Sequence, residues 1–380
     1  MAKQPQHRIE ISVEGKRIDG WTDYEIGSSM TEAVDHFSMS RPFTSDAYRV
    51  LQCDAQITVR IDDTPVLTGF IDTVEKDSKR DTSKISITGR DKVGRLVQES
   101  APTIAYDGLD FVTVAQLLAA PWFTTVTLSG ARDRIVRLGK KGRKAAAGNE
   151  ALVVKVKKKT WQHEPGQSRY KIINDLASEA SYMVWSSADG KELIIGKPNQ
   201  SQGVQFLIAN PSNESSVAPT ALAMKMVDSV ADRYSLIMAL GSGHGDAANY
   251  GKSTVTRRDV VRNGPGIDGT GLDFVRPKRL ILAERTLLDL DEAHQFALRD
   301  MNRRDFNKRI LTATMPAHGQ ITGGTAASLY TPNTIVRVID DEVDLPLDDL
   351  FVIHSCTYHG SREGETTDLA AVPRGTVFVQ

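Results

Sequence analysis

Two stretches of sequence decide the fold class: Thr68-Gly69-Phe70-Ile71-Asp72-Thr73-Val74 and Lys84-Ile85-Ser86-Ile87-Thr88-Gly89-Arg90-Asp91-Lys92. In the second stretch, apolar residues at 85 and 87 alternate with hydroxyl residues at 86 and 88, which is the period of a strand with one buried face. The first stretch fits a partner strand, and the charged residues 75–83 predict a long polar loop between the two. Glycine at 69 and 89 predicts that both strands break near their ends, where a sheet bends or coils into a small barrel.

The rest of the first hundred residues carries the same strand period. Apolar residues alternate with polar ones in two further runs and in one short segment: Ile9, Ile11 and Val13; Ile57, Val59 and Ile61; and Phe37-Ser38-Met39-Ser40. Turn residues separate these runs, as in small antiparallel barrels and sandwiches. Residues 1–100 are therefore predicted to form a first β-barrel.

Residues 101–205 have a mixed pattern that predicts a small α+β insert. A capping box is predicted at Thr113 with Gln116 at its third position, opening a short helix that ends at Pro121. A second helix is predicted to start at Ser168, because apolar residues follow it at helical spacing. Apolar runs at 182–185 and 193–195, joined by Asp189-Gly190, predict a hairpin. Residues 131–160 form a basic arm within the insert.

Residues 206–380 predict a second β-barrel that carries one long helix. Strands are expected at 221–228, 233–240, 310–315, 334–339, 351–358 and 367–372. A glycine-rich loop is expected from 241 to 271. The helix is placed near 289–306, with Asp289 as its N-cap and Arg303 and Arg304 near its C-terminal end, where cations suit the helix dipole.

The composition is that of an ordinary globular protein. With 380 residues, 40% hydrophobic and 25% charged, the chain has room for two or three cores. Its 47 Lys+Arg balance 48 Asp+Glu, so a formal net charge of -1 gives no overall attraction to nucleic acid or an anionic membrane. The sequence has neither a secretory signal pattern nor a bilayer-length apolar run, and no stable membrane insertion is expected. Cys53 and Cys356 lack metal-type spacing, which argues against a zinc site or a disulfide scaffold.

Several motifs occur together in an order and spacing typical of one family. They are the TGFID and GRDK motifs of the two opening stretches, Val13-Glu14-Gly15-Lys16, Gly20-Trp21-Thr22, Ala297-Leu298-Arg299 with Arg303-Arg304, and Tyr330-Thr331-Pro332-Asn333. Over nearly the whole chain, this series resembles the baseplate hub family of phage Mu-type tails, which is related in fold to the hubs of T-even phages.

The resemblance implies a mainly β fold with α+β parts: two tail-tube-like β-barrel domains, 1–100 and 206–380, separated by the α+β insert 101–205. It also implies a structural, non-enzymatic role. Three copies with two barrels each would form a pseudo-sixfold ring that joins a hexameric tail tube to a trimeric central spike and leaves a channel for DNA ejection. Head-to-tail contacts permit such a homotrimer, whereas isologous pairing does not.

The implied partners are copies of the chain itself, tail tube or distal tail proteins, the central spike or tail-tip proteins, the tape measure protein and, in transit, viral DNA. The expected location is the baseplate or tail tip of the virion, after assembly in the host cytoplasm. The resemblance implies no cofactor, no metal and no catalytic residue.

Two charged segments are candidate functional sites. The acidic residues Asp340, Asp341, Glu342 and Asp344 fit a solvated hairpin tip or, on the hub interpretation, a wall facing the channel, where carboxylates would repel DNA. A carboxylate pair for glycoside hydrolysis is the least favoured interpretation of this run. The basic residues fit a solvated hairpin arm or a docking surface for an acidic neighbour, and they are Lys140, Lys141, Arg143, Lys144, Lys155, Lys157 and Lys159.

Four other hypotheses compete with the structural role. Gly241-Ser242-Gly243-His244-Gly245 lacks the spacing of a nucleotide-binding loop, and a mobile turn is favoured. His354, Cys356 and Tyr358 share one face of a strand and are interpreted as core or interface residues, because a metal site needs further converging ligands. The alternative functions are a tail-associated cell-wall-degrading enzyme and a nucleic-acid-binding module that uses residues 132–159.

Overall fold

The structure is a computed structural model that describes residues 7–80, 82–103, 109–129, 164–179, 182–198, 200–211, 218, 220–242, 255–261, 278–284, 290–321, 327–340 and 347–376. It divides into two compact units, one made of Met1–Lys225 with Leu311–Arg374 and the other of Met226–Ile310. Strands make up most of the regular structure, so the predicted mainly β class is confirmed. The two-barrel arrangement and the three domain boundaries stay predictions.

The elements are numbered in chain order. The strands are β1 (Ile9–Val13), β2 (Lys16–Ile18), β3 (Asp23–Ser29), β4 (His36–Pro42), β5 (Gln56–Ile61), β6 (Thr64–Ser78), β7 (Ser83–Asp91), β8 (Thr125–Ser129), β9 (Met183–Ser186), β10 (Glu192–Gly196), β11 (Val204–Asn210), β12 (Ala223–Asp228), β13 (Leu236–Ser242), β14 (Val255–Val261), β15 (Arg279–Ala283), β16 (Arg309–Met315), β17 (Gly319–Ile321), β18 (Ala327–Leu329), β19 (Thr334–Asp340), β20 (Leu347–Ser361) and β21 (Gly364–Pro373). The helices are α1 (Ser45–Val50), α2 (Val93–Gln98), α3 (Phe111–Ala119), α4 (Arg169–Glu179) and α5 (Leu290–Phe306). No helix in the described part of the chain has the length and apolar character needed to cross a membrane.

The two opening stretches form one long antiparallel ribbon, β6 with β7. The polar loop predicted at 75–83 is mostly strand, because pairing continues out to Ser78 opposite Ser83. The predicted strand breaks at Gly69 and Gly89 are also wrong, since β6 and β7 continue through these glycines. Glycine is needed there for close approach: a Cβ on Gly69 would overlap the carbonyl oxygen of Arg90, and one on Gly89 would overlap that of Phe70. The ribbon instead bends at a bulge between Ile71 and Thr73.

Thirteen strands form one sheet with the order β12-β16-β21-β20-β3-β4-β7-β6-β5-β1-β2, and β19 and β11 extend it from β20. The N-terminal and C-terminal parts of the sequence are joined in this sheet. β3 pairs antiparallel with β20, from Ser29 opposite Ser355 to Tyr24 opposite Gly360. The predicted strand periods are confirmed in β1, β5 and β7, whose isoleucines and valines are buried.

A second core of the first unit lies among α2, α3, α4 and the three-stranded sheet β8-β10-β9. Leu96, Leu118, Ile173 and Leu193 are fully buried there. The predicted second helix and the hairpin are confirmed as α4 and as β9 with β10. Gly190 at the hairpin tip has φ +65°, which favours glycine.

The predicted capping box at Thr113 is wrong. Helix α3 begins at Phe111, and Asp110 is its N-cap, with Oδ1 accepting a hydrogen bond of 2.9 Å from the Thr113 backbone N–H. Thr113 also donates its hydroxyl to the same carboxylate oxygen at 3.0 Å. A carboxylate N-cap accepts a hydrogen bond from a backbone N–H of the first helical turn that has no acceptor within the helix. Its negative charge also interacts favourably with the helix dipole at the N-terminus.

The second unit contains the sheet β14-β13-β15 with α5 packed on it. Ile237 and Ala239 of β13 are buried against Ala293 and Ala297 of α5, which confirms the long helix. Its predicted cap Asp289 lies outside the described residues. The loop predicted for 241–271 is wrong in part, because β14 lies within it; its β-branched residues favour a strand.

Candidate functional site

One side of the central sheet in the first unit carries exposed and half-exposed polar side chains. Side chains on this side are short and mostly hydroxylic, and the surface is called here the hydroxyl face. It comprises Thr312 and Thr314 of β16, Thr366, Asp368 and Ala370 of β21, Ser355, Thr357 and His359 of β20, Asp23, Glu25 and Gly27 of β3, His36, Ser38 and Ser40 of β4, and Lys84, Ser86, Thr88 and Arg90 of β7.

Strand register places these residues in rows across the sheet. One row runs from Thr366 through His359, Glu25 and Ser38 to Thr88, each residue directly opposite the next. The residues between them along each strand point to the core, because side chains alternate across a sheet. The row therefore crosses five strands on one side.

Two grooves lie along the hydroxyl face. The larger, of about 840 Å³, is lined by Glu25, Ser38 and His359 among others. The smaller, of about 390 Å³, is lined by Thr312, Thr357 and Asp368 and, from the neighbouring strand β12, by Lys225. The face is thus recessed in two places.

Histidines and carboxylates alternate across four strands of this face. Glu25 Oε1 lies 3.3 Å from His36 Nε2, and Glu25 Oε2 lies 3.8 Å from His359 Nδ1. His359 Nε2 lies 3.3 Å from Asp368 Oδ2, and Thr314 donates its hydroxyl to Asp368 Oδ1 at 2.7 Å. These short side chains contact each other directly. Within the described residues, no group of three or more His, Cys, Asp or Glu side chains is arranged to hold a metal ion.

A buried polar network lies on the core side of the same strands. His318 is fully buried, its Nε2 lies 2.6 Å from the Tyr24 hydroxyl, and its Nδ1 lies 2.9 Å from the Thr367 hydroxyl. Burial lowers the pKa of His318 to about 3, so the ring is neutral at physiological pH. The ring also stacks on His7 with a centroid separation of 5.2 Å. This network connects the start of the chain to β3 and β21.

The carboxylates of Asp35 and Asp91 lie together where the central sheet meets the second core of the first unit. The Asp91 N–H donates to the Asp35 backbone carbonyl at 3.0 Å. Asp35 accepts hydrogen bonds from the Ser29 N–H at 2.8 Å and the Ser28 hydroxyl at 2.9 Å. Desolvation raises the pKa of Asp35 to about 6, and desolvation together with the nearby Asp35 raises the pKa of Asp91 well above its usual value.

His354, Cys356 and Tyr358 were interpreted from the sequence as core or interface residues. The core interpretation is confirmed, since all three side chains are buried on the core side of β20. Burial lowers the pKa of His354 to about 4 and raises the pKa of the Cys356 thiol to about 12. The thiolate needed for nucleophilic chemistry is therefore suppressed.

The sequence candidates of the acidic run are only partly described. Asp340 ends β19, and the Asn210 amide lies 3.5 Å from its Oδ1. The other three acidic candidates, Asp341, Glu342 and Asp344, lie outside the described residues, as do Gly243-His244-Gly245 and all seven basic candidates, Lys140, Lys141, Arg143, Lys144, Lys155, Lys157 and Lys159.

Sequence reasoning missed the hydroxyl face, the His318 network and the carboxylate pair. One signal was present, namely the short hydroxyl residues alternating with apolar ones in β4, β7 and β20. The rows became visible only with the register that joins β3 to β20, because those strands lie over 300 residues apart in sequence.

Comparison with known proteins shows that this fold is similar to those of Mu-type phage tail proteins. Residues 8–91 match the family model described as Mu phage baseplate assembly protein GpP-like, N-terminal. This segment contains β1 to β7, including the glycine-bearing ribbon.

Individual relatives match over nearly the whole chain. The baseplate hub protein gp44 of Escherichia phage Mu is 21% identical over 375 residues, which covers 96% of this chain and 88% of gp44. The tail protein from Neisseria meningitidis MC58 has a TM-score of 0.75 and 22% identity, covering 98% of both chains. The 43 kDa tail protein of prophage MuSo2 from Shewanella oneidensis has a TM-score of 0.73 and 19% identity, covering 97% of this chain and 99% of that one. The predicted resemblance to Mu-type hub proteins is confirmed.

Proposed function

We propose that the chain is a structural hub protein of a phage baseplate or tail tip. The observation that carries the proposal is the similarity to a baseplate hub protein over 96% of this chain, together with the Mu-type N-terminal match. The location would be the virion, with assembly of the tail in the host cytoplasm.

The proposed assembly is a homotrimer that forms a pseudo-sixfold ring. Two features of the sheet support this arrangement. β2 and β12 end the main strand order, and strand edges need partners or cover. Two different edges on one chain suit head-to-tail contacts, and such contacts close into a ring when the rotation allows it.

The ring would join a hexameric tail tube to a trimeric spike and leave a passage for DNA. Its partners would be tail tube or distal tail proteins on one side, and spike or tail-tip proteins with the tape measure protein on the other. Duplication of tube-like domains within each subunit would let three chains present six similar units. The mechanism would be geometric complementarity between rings, without catalysis.

Light scattering on the purified chain tests the assembly. A mass of three chains at micromolar concentration is the expected result, and a stable dimer would contradict a cyclic trimer. Clearing of a purified peptidoglycan suspension by the same preparation would favour the alternative of a wall-degrading enzyme. Salt-sensitive retardation of duplex DNA, lost on deletion of residues 132–159, would favour the nucleic-acid-binding alternative.

A further inference from the structure

A cleft lies between the central sheet and the hairpin of β9 with β10 in the first unit. Its volume is about 240 Å³, below the roughly 300–1,000 Å³ of pockets that hold drug-sized ligands. Cys356 and Tyr358 line it as buried side chains, Asp35 is half-buried, and Thr64 and Thr331 are exposed at its mouth. The other walls are mostly apolar and include Met30, Pro65, Val66, Trp185, Ile194 and Leu329. The cleft therefore has room for a ligand of a few carbon atoms.

Polar groups converge on one part of this cleft. The Ser28 hydroxyl lines the cleft and donates to Asp35 Oδ2 at 2.9 Å. The Ser186 hydroxyl also lines the cleft and donates at 2.7 Å to Oδ2 of the buried Asp91. Apolar walls with a few convergent polar groups, and with carboxyls of shifted pKa among them, are typical of a small-molecule site.

The two carboxyls have no basic partner. Among the described residues, no lysine or arginine forms an ion pair with Asp35 or Asp91, and the neighbouring Arg90 is paired with Asp72. A desolvated carboxylate needs either a proton or a cation. The raised pKa of Asp35, about 6, shows that a proton meets this need in the empty cleft.

The charged surroundings of Asp35 favour a cation from outside the chain. The titratable side chains that face Asp35 come from β7, β20, β4 and the segment before β4, and they are Asp91, Cys356, Tyr358, His36 and Glu32. Of these, His36 alone can be positive, and it is exposed with its Nε2 3.3 Å from Glu25 Oε1. A cation that enters the cleft would therefore meet uncompensated negative charge.

The walls of the cleft favour an organic cation over a metal ion. Within the part of the chain that the structure describes, no three His, Cys, Asp or Glu side chains are arranged to hold a metal. A hydrated metal ion would also face apolar side chains such as Trp185 and Leu329. A primary ammonium group instead carries three N–H donors for carboxylate and hydroxyl oxygens, and its alkyl chain suits apolar walls.

We propose that this cleft binds a small primary alkylammonium ion, with the ammonium group on the Asp35 carboxylate and the alkyl chain against the apolar walls. The entering cation replaces the proton that the carboxyl pair holds, and this proton passes to the solvent. Binding is independent of the proposed hub role, because the cleft is complete within one chain.

Calorimetric titration of the full-length chain with n-butylammonium chloride tests the proposal. Saturable binding is expected at pH 7, and it should be about tenfold weaker at pH 5 because protons compete for a carboxyl of pKa about 6. The heat of binding should vary with the ionisation enthalpy of the buffer, since a proton is released.

Two variants locate the binding in the cleft. Asp35→Asn removes the charge and should weaken binding about tenfold or more, as expected for a hydrogen bond to a charged group. Asp23→Asn changes an exposed carboxylate of β3 and should bind like the wild type. Thr64→Trp narrows the exposed mouth, leaves both carboxyls in place and should also weaken binding, so the test does not depend on the folding of Asp35→Asn alone.

Four results would overturn the proposal. They are an absence of saturable binding by the wild type, equal affinities of the wild type and Asp35→Asn, equally tight binding of 1-butanol, which lacks the charge, and binding of magnesium chloride that Asp35→Asn abolishes. Nα-acetyllysine amide carries the same head group on a chain that continues out of the cleft. Tighter binding of this compound than of n-butylammonium would overturn the assignment to a free ion and assign the cleft to a lysine side chain of a partner.

Discussion

The Ser186 hydroxyl donates a hydrogen bond of 2.7 Å to Asp91 Oδ2, joining β9 of the three-stranded sheet to the end of β7 in the central sheet. Asp91 Oδ1 also accepts from the Gly94 N–H at 3.3 Å. The same junction holds Asp35, whose raised pKa means that the folded chain holds a proton there more tightly than the unfolded chain. Stability should therefore depend on pH at this junction.

Asp35→Asn should remove part of that dependence. A carboxyl whose pKa is raised from 3.8 to about 6 on folding stabilises the fold below pH 3.8, and the contribution is lost as pH rises through 6. The wild type should lose up to about 3 kcal/mol of unfolding free energy over this window, at about 1.4 kcal/mol per pKa unit. Asparagine keeps a side-chain acceptor for the Ser29 N–H and cannot ionise, so the variant should lose less. Urea unfolding at pH 4 and pH 7 measures how much unfolding free energy the wild type and Asp35→Asn each lose between these two pH values.

Asp23→Asn is the control for this experiment, because Asp23 is an exposed carboxylate of β3. It makes the same chemical change at a site away from the Asp35 and Asp91 carboxylates. An equal loss of unfolding free energy between pH 4 and pH 7 in the wild type and in Asp35→Asn would show that folding does not help Asp35 to hold its proton.

His318→Gln should act in the opposite pH direction. A histidine whose pKa falls from 6.5 to about 3 on folding supports stability above pH 6.5, and this support is lost as pH falls towards 3. Glutamine is neutral throughout, so the variant should lose less stability between pH 7 and pH 4, although it is less stable at pH 7 through lost packing. Thermal unfolding across this range measures the difference. His36→Gln on the exposed face is the control, and an acid sensitivity unchanged in His318→Gln would contradict the expectation.

Glycine at position 69 is expected to be indispensable for the ribbon. Gly69→Ala places a methyl group into the carbonyl oxygen of Arg90 on the paired strand, so either the backbone moves or the pairing is lost. The cost should be about 2 kcal/mol or more, in the range of other strained core substitutions. Gly203→Ala is the matched control, since nothing lies within 4 Å of its added methyl group. Chemical unfolding of both variants gives the comparison, and equal stabilities would contradict the close approach of the strands.

Asp110→Ala should destabilise α3 by about 1 kcal/mol, the usual cost of removing an N-cap. Under the sequence interpretation, in which the helix starts at Thr113, the same change would have little effect. Thr113→Val separates the two interpretations, because it keeps the backbone N–H that Asp110 accepts and removes only the hydroxyl. The unfolding midpoint should fall more for Asp110→Ala than for Thr113→Val.

The sequence was sufficient where one local pattern determines the structure. Alternation of isoleucine and valine with polar residues predicted β1, β5 and β7, because one buried face imposes that period directly. The sequence was insufficient where pairing between distant strands determines the structure. The charged residues 75–78 form strand because Lys84, Ile85 and their neighbours pair with them, although their own composition is typical of a loop. The hydroxyl face likewise depends on the pairing of β3 with β20.

Lysines introduced on the hydroxyl face should increase the affinity of the chain for duplex DNA. Thr357→Lys with Ser38→Lys adds two cations to grooves already lined by Lys225 and Arg362, and a recessed surface concentrates the field of its charges. Fluorescence anisotropy with a short duplex should show tighter binding than the wild type, and the gain should fall as salt rises because phosphate contacts release counterions. Ser45→Lys with Gln56→Lys adds the same charge at other exposed positions and should give a smaller gain. Equal gains in the two double variants would show that the recessed shape of the face does not strengthen the binding.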